Sequence, residues 1–561
     1  MATVSLGKIA FKYRGAYSAS DTYASQDIVT YLGSSYVCTV DNTTGTDPLN
    51  TSNWSQFAAG IDPSNLSVGS LVAFDGTSFV DIPVGNVGDV LTVGAQGMPA
   101  FGLSGNRPAL RVKALSKCRG FSNYSTFCIM EDGSVRAWGA NGVYQLGIGA
   151  TTSNRTYPST VAFPNGAPAI EKLFNDYYNN TYAIDANGGF WAWGGNDYGT
   201  IGMGVINTDV YTPLCVTAIN DIQNSLYGKQ VVKVATKISA DQYESTHVLC
   251  TDGTVHACGY NAYGQLGDGS TTDKYWYSQI NIINNIVDLQ AGRGRYTAVF
   301  ALNASGEVYS WGNGGGNILG HGSTSNLTIP NKIATLNGIN IVSMSVAGEH
   351  ACFLADNGDL YAVGENTTYG NLGTGDTIDR LTPVLVATDV AQVYAMGVSS
   401  SGRRTYIVKT DGSLWACGSN VYSGLGVDAT TTHYANFAPC LKTEDDGVTT
   451  SPMTGVVDLS PSGNATPTVI LKDANNICWG LGYNATGVLG NGNNLSTSTY
   501  FRPVLIHRRS VVDFGLSGPE SAMISQFLLD DGQLYISGSG GNNQNTDDDA
   551  DNWFVPGPVI F

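Results

Sequence analysis

The stretch Leu249-Cys250-Thr251-Asp252-Gly253-Thr254-Val255-His256-Ala257-Cys258-Gly259-Tyr260-Asn261-Ala262-Tyr263-Gly264-Gln265-Leu266-Gly267-Asp268-Gly269 decides the fold. It reads as an apolar strand, an Asp-Gly turn, a second strand ending in Cys-Gly, an Asn, and then Leu-Gly-x-Gly. Asp-Gly tolerates positive φ and closes a tight hairpin. The Gly after the second strand lets neighbouring backbones approach closely. The same message stands at Glu131-Asp132-Gly133, Trp138-Gly139, Asn141 and Leu146-Gly147-Ile148-Gly149. It returns at Asn357-Gly358, Val363-Gly364, Asn366 and Leu372-Gly373-Thr374-Gly375. The spacing is roughly 53–65 residues from about position 110 onward, and a period of that size marks a repeat architecture.

Turn glycines fall at Gly133, Gly188, Gly253, Gly306, Gly358, Gly412 and Gly532, with a divergent copy at Lys472-Asp473-Ala474-Asn475-Asn476. That gives about eight units. The apolar residue of the loop is Leu146, Ile201, Leu266, Leu319, Leu372, Leu425 or Leu489, and the last copy keeps only Gly540-Gly541-Asn542-Asn543. The Leu is placed to plug the seam between adjacent units while its glycines let the chain bend around it. Pro213, Pro330 and Pro383 mark a return segment, where a missing N–H is tolerated only at an edge. Helical periodicity is absent over most of the array. The expectation is an all-β fold: over residues 106–561, a β-propeller of about seven or eight four-stranded blades.

The array resembles the regulator of chromosome condensation repeat family. The family's Gly-x-x-His, Asp-Gly, Trp-Gly-x-Asn and Gly-Gln-Leu-Gly are matched by Gly348-Glu349-His350, Asp132-Gly133, Trp138-Gly139-Ala140-Asn141 and Gly264-Gln265-Leu266-Gly267. The resemblance implies a propeller, usually of seven blades; a count nearer eight departs from it. It leaves room for a ring closed by one strand lent across the join, or for a further blade.

Charged residues are 13% of the 561, the formal net charge is -18, and Gly numbers 70. Such a chain repels phosphate backbones, which disfavours nucleic acid as a partner. No run approaches the length of a membrane-spanning helix, and no secretory signal pattern opens the sequence. Ten cysteines include no Cys-x-x-Cys pair. Cys258, Cys352 and Cys417 occupy strand positions and read as small buried hydrophobes rather than disulfide or zinc ligands. No metal or cofactor is expected. His247 and His350 sit at the family's recurring His and read as core residues, since no Asp or Ser partner recurs beside them. The run Asp547-Asp548-Asp549-Ala550-Asp551 lacks the Gly and closing Glu of a calcium loop and reads as a solvated acidic segment.

Residues 1–60 read as a small β module. Tyr13-Arg14-Gly15-Ala16-Tyr17, Tyr23, Asp27-Ile28-Val29-Thr30-Tyr31-Leu32-Gly33-Ser34-Ser35-Tyr36, Pro48 and Trp54 resemble the carbohydrate-binding module found on chitinases and many bacteriophage tail proteins. That resemblance makes Tyr17, Tyr23, Tyr31, Tyr36 and Trp54 candidates for stacking on sugar rings; the same residues also suffice as the module's core. Residues 61–105 read as a neck of two hairpins, Leu71–Val80 and Gly88–Gly102. Neither buries its apolar face alone. The second resembles repeats of phage tail-fibre shafts, which are commonly trimeric, so a homotrimer is expected.

Tyrosines follow the repeat Asn at Tyr144, Tyr198, Tyr263, Tyr369 and Tyr422, and equal positions put them on one face of a propeller. They are candidates for an aromatic binding ring, or for packing against the next blade. Two units carry longer excursions near 205–230 and 429–455, where function concentrates on a rigid scaffold; Tyr211, Tyr227, His433, Tyr434 and Phe437 are the side chains to test. Three regions together lead to a non-enzymatic bacteriophage tail protein. Its front would hold other tail or baseplate proteins on the virion, and its propeller would bind a host-surface glycan or protein. The alternative is a protein–protein interaction propeller, acting as a guanine-nucleotide exchange factor or an enzyme inhibitor.

Overall fold

The computed structural model describes the strands and adjoining turns between residues 12 and 102. It also describes residues 111–559 apart from 117–124, 176–179, 237–243, 293, 295, 398–401, 429, 445–447, 463–465, 493–496, 507–509, 519–522 and 540–552. The acidic run at 547–551 and the last Gly-Gly-Asn-Asn lie outside the described residues. The chain forms two compact units, Met1–Ala109 and Leu110–Phe561.

In the first unit, Asp27–Tyr31 pairs in parallel with Lys12–Ala16 and antiparallel with Ser34–Cys38, which in turn pairs with Trp54–Ala59. Thr22–Tyr23 pairs with Thr43–Thr44. The two expected hairpins are present, Leu71–Phe74 with Phe79–Ile82 and Val90–Val93 with Pro99–Gly102.

The second unit is a propeller of eight blades, each a four-stranded antiparallel meander. Blade 1 comprises Val112–Leu115, Ser125–Met130, Val135–Gly139 and Arg155–Thr160; blade 2, Ile170–Asn175, Asn180–Asp185, Phe190–Gly194 and Val210–Cys215; blade 3, Val231–Thr236, Ser245–Cys250, Val255–Gly259 and Lys274–Gln279; blade 4, Ile286–Ala291, Ala298–Asn303, Val308–Gly312 and Leu327–Lys332. Blade 5 comprises Ile341–Val346, His350–Ala355, Leu360–Gly364 and Arg380–Ala387; blade 6, Val390–Met396, Arg404–Lys409, Leu414–Ser419 and His433–Pro439; blade 7, Val456–Pro461, Thr468–Asp473, Cys478–Tyr483 and Thr497–Pro503; blade 8, Val511–Ser517, Ile524–Leu529, Leu534–Gly538 and Trp553–Pro558. Blade 7 carries an extra hairpin, Leu441–Thr443 with Thr450–Pro452, attached where Lys442 pairs in parallel with Phe501. This hairpin is the structure behind the longer excursion after residue 429.

First strands of most successive blades lie against one another, and fourth strands form the rim. Second strands are buried end to end in blades 1, 2, 3, 5 and 8. Pro213, Pro330 and Pro383 all fall in fourth strands, where one edge has no ladder partner. The ring closes without a lent strand, because every blade uses four consecutive strands. The join is a packed seam: Val112, Cys128 and Trp138 of blade 1 meet Leu528, Leu534 and Ile536 of blade 8. One backbone bond, Val112 N–H to Gly532 O at 2.8 Å, spans it.

The loop leucine, isoleucine in blade 2, plugs seven of the seams as its position suggests. Leu266 is buried with Leu289, Val299 and Trp311 of blade 4, and Leu146 with Trp193 of blade 2. Full burial of one such side chain contributes about 1.5–3 kcal/mol. The second Gly of Leu-Gly-x-Gly then clasps the next blade's rim strand: Gly149 N–H reaches Tyr211 O at 3.1 Å, Gly204 reaches Tyr275 O at 2.8 Å, and Gly269 reaches Thr328 O at 2.9 Å. Gly322 and Gly375 repeat the bond to Leu381 O and Ala435 O, each at 2.9 Å.

Candidate interaction face

In an antiparallel meander, the loops joining first to second and third to fourth strands leave from one face. The 2–3 hairpins and the links to the next blade leave from the other. The repeat loops therefore share the first face, here termed the loop face. Their backbone is fixed by the repeat Asn. Its Oδ1 accepts the N–H of the plug residue in six copies: Asn141 from Leu146 (3.0 Å), Asn196 from Ile201 (3.2 Å), Asn261 from Leu266 (2.9 Å), Asn366 from Leu372 (2.9 Å), Asn420 from Leu425 (3.1 Å) and Asn484 from Leu489 (2.9 Å).

Two residues before each plug the backbone is left-handed in all seven copies: Tyr144 (φ 62°), Gly199 (73°), Gly264 (76°), Asn317 (63°), Gly370 (68°), Ser423 (56°) and Gly487 (77°). This register corrects the reading of the tyrosines. Tyr198, Tyr263, Tyr369 and Tyr422 stand three residues before their plugs, whereas Tyr144 occupies the left-handed position itself. Where Gly264 and Gly370 bring backbone against the next rim strand, Tyr144 packs its ring edge-on against Tyr211, 6.1 Å between centroids.

The tyrosines gather at seams rather than in one ring. Tyr198 of blade 2 meets Tyr260 of blade 3 edge-on at 6.0 Å, and Tyr260 lies 6.3 Å from Tyr263. Tyr422 of blade 6 meets Tyr483 of blade 7 at 5.8 Å. Tyr422 is 48% exposed and Tyr211 51%, while Tyr144, Tyr198, Tyr263 and Tyr369 are half-buried. Tyr260 and Tyr483 carried no periodic signal, because other copies hold unrelated residues there.

The remaining candidates separate. Tyr227 is 51% exposed but lies in the link from blade 2 to blade 3, on the hairpin face. His433 and Tyr434 begin the rim strand of blade 6 on the loop face, with Tyr434 OH bound to Asp428 Oδ2 at 2.6 Å. Phe437 is not a surface contact: it packs into the blade 5–6 core, and a Cβ on Gly373 would lie 2.3 Å from its ring. In the N-terminal unit, Tyr23 is buried and stacks on Tyr17 at 5.7 Å, so its face is occupied by the module's own core. Tyr31, Tyr36 and Trp54 lie in strands, and their side chains fall outside the described residues.

The histidines and cysteines are structural. His247 Nε2 is 2.8 Å from Gln265 O, and His350 Nε2 is 3.0 Å from Thr405 Oγ1 across the seam to blade 6. Burial lowers His247 to about 4 and, with the Arg403 charge, His350 to about 3. Burial likewise pushes the Cys258, Cys352 and Cys417 thiols up, so they stay protonated. On the same loop face, Arg403 of blade 6 is buried between two carboxylates of blade 5. Its Nε donates to Glu349 Oε2 at 2.6 Å and it pairs with Glu365, which also accepts Tyr296 OH of blade 4 at 3.2 Å. The chain Arg403–Glu365–Tyr296 thus ties three blades.

The profile described as regulator of chromosome condensation (RCC1) repeat matches residues 132–172 and 305–354. The E3 ubiquitin-protein ligase HERC2 of Homo sapiens is 30% identical over 253 residues, 44% of this chain and 5% of that protein. The ultraviolet-B receptor UVR8 of Arabidopsis thaliana is 31% identical over 236 residues, 42% of this chain and 50% of the receptor. The chain therefore spans half or less of the length of these relatives. The crystal structure of human WBSCR16 superposes with a TM-score of 0.51 at 18% identity, covering 69% of this chain and 96% of that one. These matches support an RCC1-type β-propeller. They lend nothing to the expected tail-fibre and carbohydrate-module origin, and they favour the interaction-propeller alternative.

Proposed function

We propose that the chain is a non-catalytic protein-interaction propeller that engages a protein partner through its loop face. The observation that carries this reading is the delivery of tyrosine clusters to seams of that one face by a backbone that the repeat Asn pins in the same way in six copies. Aromatic side chains with a polar tip give large contact area at low entropic cost, as interfaces require. The histidines and thiols that would serve catalysis are instead spent on packing. A photo-crosslinking phenylalanine at Tyr198, Tyr263 or Tyr422 tests it: discrete protein adducts are expected there in cells, and none from Tyr227. Equal labelling from both faces, or none from the loop face, overturns it.

A second reading is host-surface adhesion from a virion tail, with a glycan or protein receptor and a trimeric neck. It is favoured by the two paired hairpins at 71–82 and 90–102. Light scattering of the purified chain tests it, a monomer counting against it.

A further inference from the structure

The seam between blades 2 and 3 combines aromatic faces with carboxylates that make no ion pair among the described residues. Tyr198, Tyr260 and Tyr263 form one connected cluster. Asp197, exposed beside Tyr198, and Asp209 lie close enough to repel each other. Burial holds the Asp209 carboxyl above its ordinary range, against the opposing Asn196 N–H, and Asp197 raises it further. The acids that hold the repeat Asn N–H as Asp209 does, Asp273 (2.8 Å from Asn261 N) and Asp379 (2.7 Å from Asn366 N), stand without a tyrosine cluster of this kind beside an exposed second aspartate. Other acids of this face have cations, Asp268 with Lys274 at 3.6 Å and Asp376 with Arg380 at 2.8 Å. Among the described residues no such pair engages Asp197 or Asp209. The neighbouring rim is apolar, with Tyr275 37% exposed, and Gly199 has no room for a side chain against it.

Resting on the reading of the loop face as a protein-docking surface, we propose that this seam receives a Lys or Arg side chain from a basic, extended segment of the partner. The cation would lie on the tyrosine faces and between the two aspartates. A cation over an aromatic ring is attracted by the negative face of its quadrupole, more strongly as it is desolvated. The two carboxylates attract the cation, which brings the positive charge this seam lacks, and the net charge of -18 steers basic partners toward the surface. Sugar hydroxyls are met equally well by neutral acceptors, whereas two neighbouring carboxylates are neutralised only by a cation, so a basic peptide is the better fit.

The test is fluorescence anisotropy with the full chain and labelled peptides of alternating Lys and Ser or Arg and Ser, with a Glu and Ser peptide as control. Asp197→Asn with Asp209→Asn should weaken the basic peptides about tenfold, and Tyr198→Ala with Tyr263→Ala about as much. Asp411→Asn with Asp531→Asn removes the same charge from the hairpin face and should leave affinity within about twofold. Equal loss from both aspartate pairs means diffuse attraction and overturns the proposal, as does absence of binding by the basic peptides. Binding of neutral oligosaccharides abolished by the tyrosine pair would replace it with a glycan site. Crosslinks from the loop face with no response to basic peptides would sink this inference while leaving the interaction role standing.

Discussion

The indole N–H of Trp311 donates to the carbonyl oxygen of Gln265 at 2.9 Å, across the seam between blades 4 and 3. The same carbonyl meets His247 Nε2 at 2.8 Å. The carbonyl just before a plug residue is reused at other seams: Gln145 O takes Trp193 Nε1 at 2.9 Å and Thr181 Oγ1 at 3.0 Å, and Asn371 O takes Thr405 Oγ1 at 2.7 Å. The plug buries the apolar half of each joint and the carbonyl beside it satisfies the polar half. Trp311→Phe keeps an aromatic ring but removes the indole donor and part of the packed surface, leaving Gln265 O with His247 alone, so chemical denaturation should show a loss of about 1–3 kcal/mol. Leu266→Ala should cost about 2–5 kcal/mol, because the seam has little room to collapse.

Glycine tolerance should differ sharply between two positions of one motif. Gly370 has φ 68°, and a Cβ there would lie 2.4 Å from the backbone of Ala435. Gly269 has φ 85° but meets nothing nearer than Ile329 at 3.6 Å. Both alanine variants bear the left-handed cost of about 1–2 kcal/mol. Only Gly370→Ala must also displace a rim strand, so its melting temperature should fall distinctly further than that of Gly269→Ala.

Acid should weaken the ring through its buried histidines. His247 and His256 are lowered to about 4, and His350 to about 3, in each case chiefly by burial. In the unfolded chain they take up protons below about pH 6.5. The unfolded state thus binds more protons between about pH 6.5 and 4, and stability falls as pH drops through that window by about 1 kcal/mol per pH unit for each histidine. Thermal melts at pH 7.5, 5.5 and 4.5 should show the slope, and His350→Gln should flatten it. A melting temperature independent of pH across this range would refute the assignment.

Arg403→Met should be among the most damaging single changes, at about 3–5 kcal/mol, because it leaves Glu349 and Glu365 facing each other without their cation. Combining it with Glu349→Gln and Glu365→Gln should recover much of the loss in urea denaturation. Failure of that rescue would show that the guanidinium acts through packing rather than charge.

Much of this architecture was legible in the chain itself, since turn glycines, plug leucines and edge prolines are placed by local sterics that any copy must obey. The blade number followed once Lys472 to Asn476 was counted as a divergent turn. The tyrosine register was misread because counting began from Asn141 and its equivalents. The plug Leu fixes the loop backbone, and the first repeat spaces the two differently from the fifth. Phe437 looked like a loop aromatic because it lies near an insertion; its inward direction depends on Gly373 of another blade, which no local pattern records. Tyr260 and Arg403 act through neighbours in an adjacent blade, Tyr198 and Glu349, and such pairings leave no period to detect.

The closure between blades 8 and 1 has a mechanical corollary. With no strand woven across that joint, the circle holds by side-chain fit and the single Val112–Gly532 backbone bond, like a band butted end to end rather than buckled. Load applied along the chain would part it at this junction before any sheet unravels, and a rearranged gene that starts at a different blade should still form the same circle.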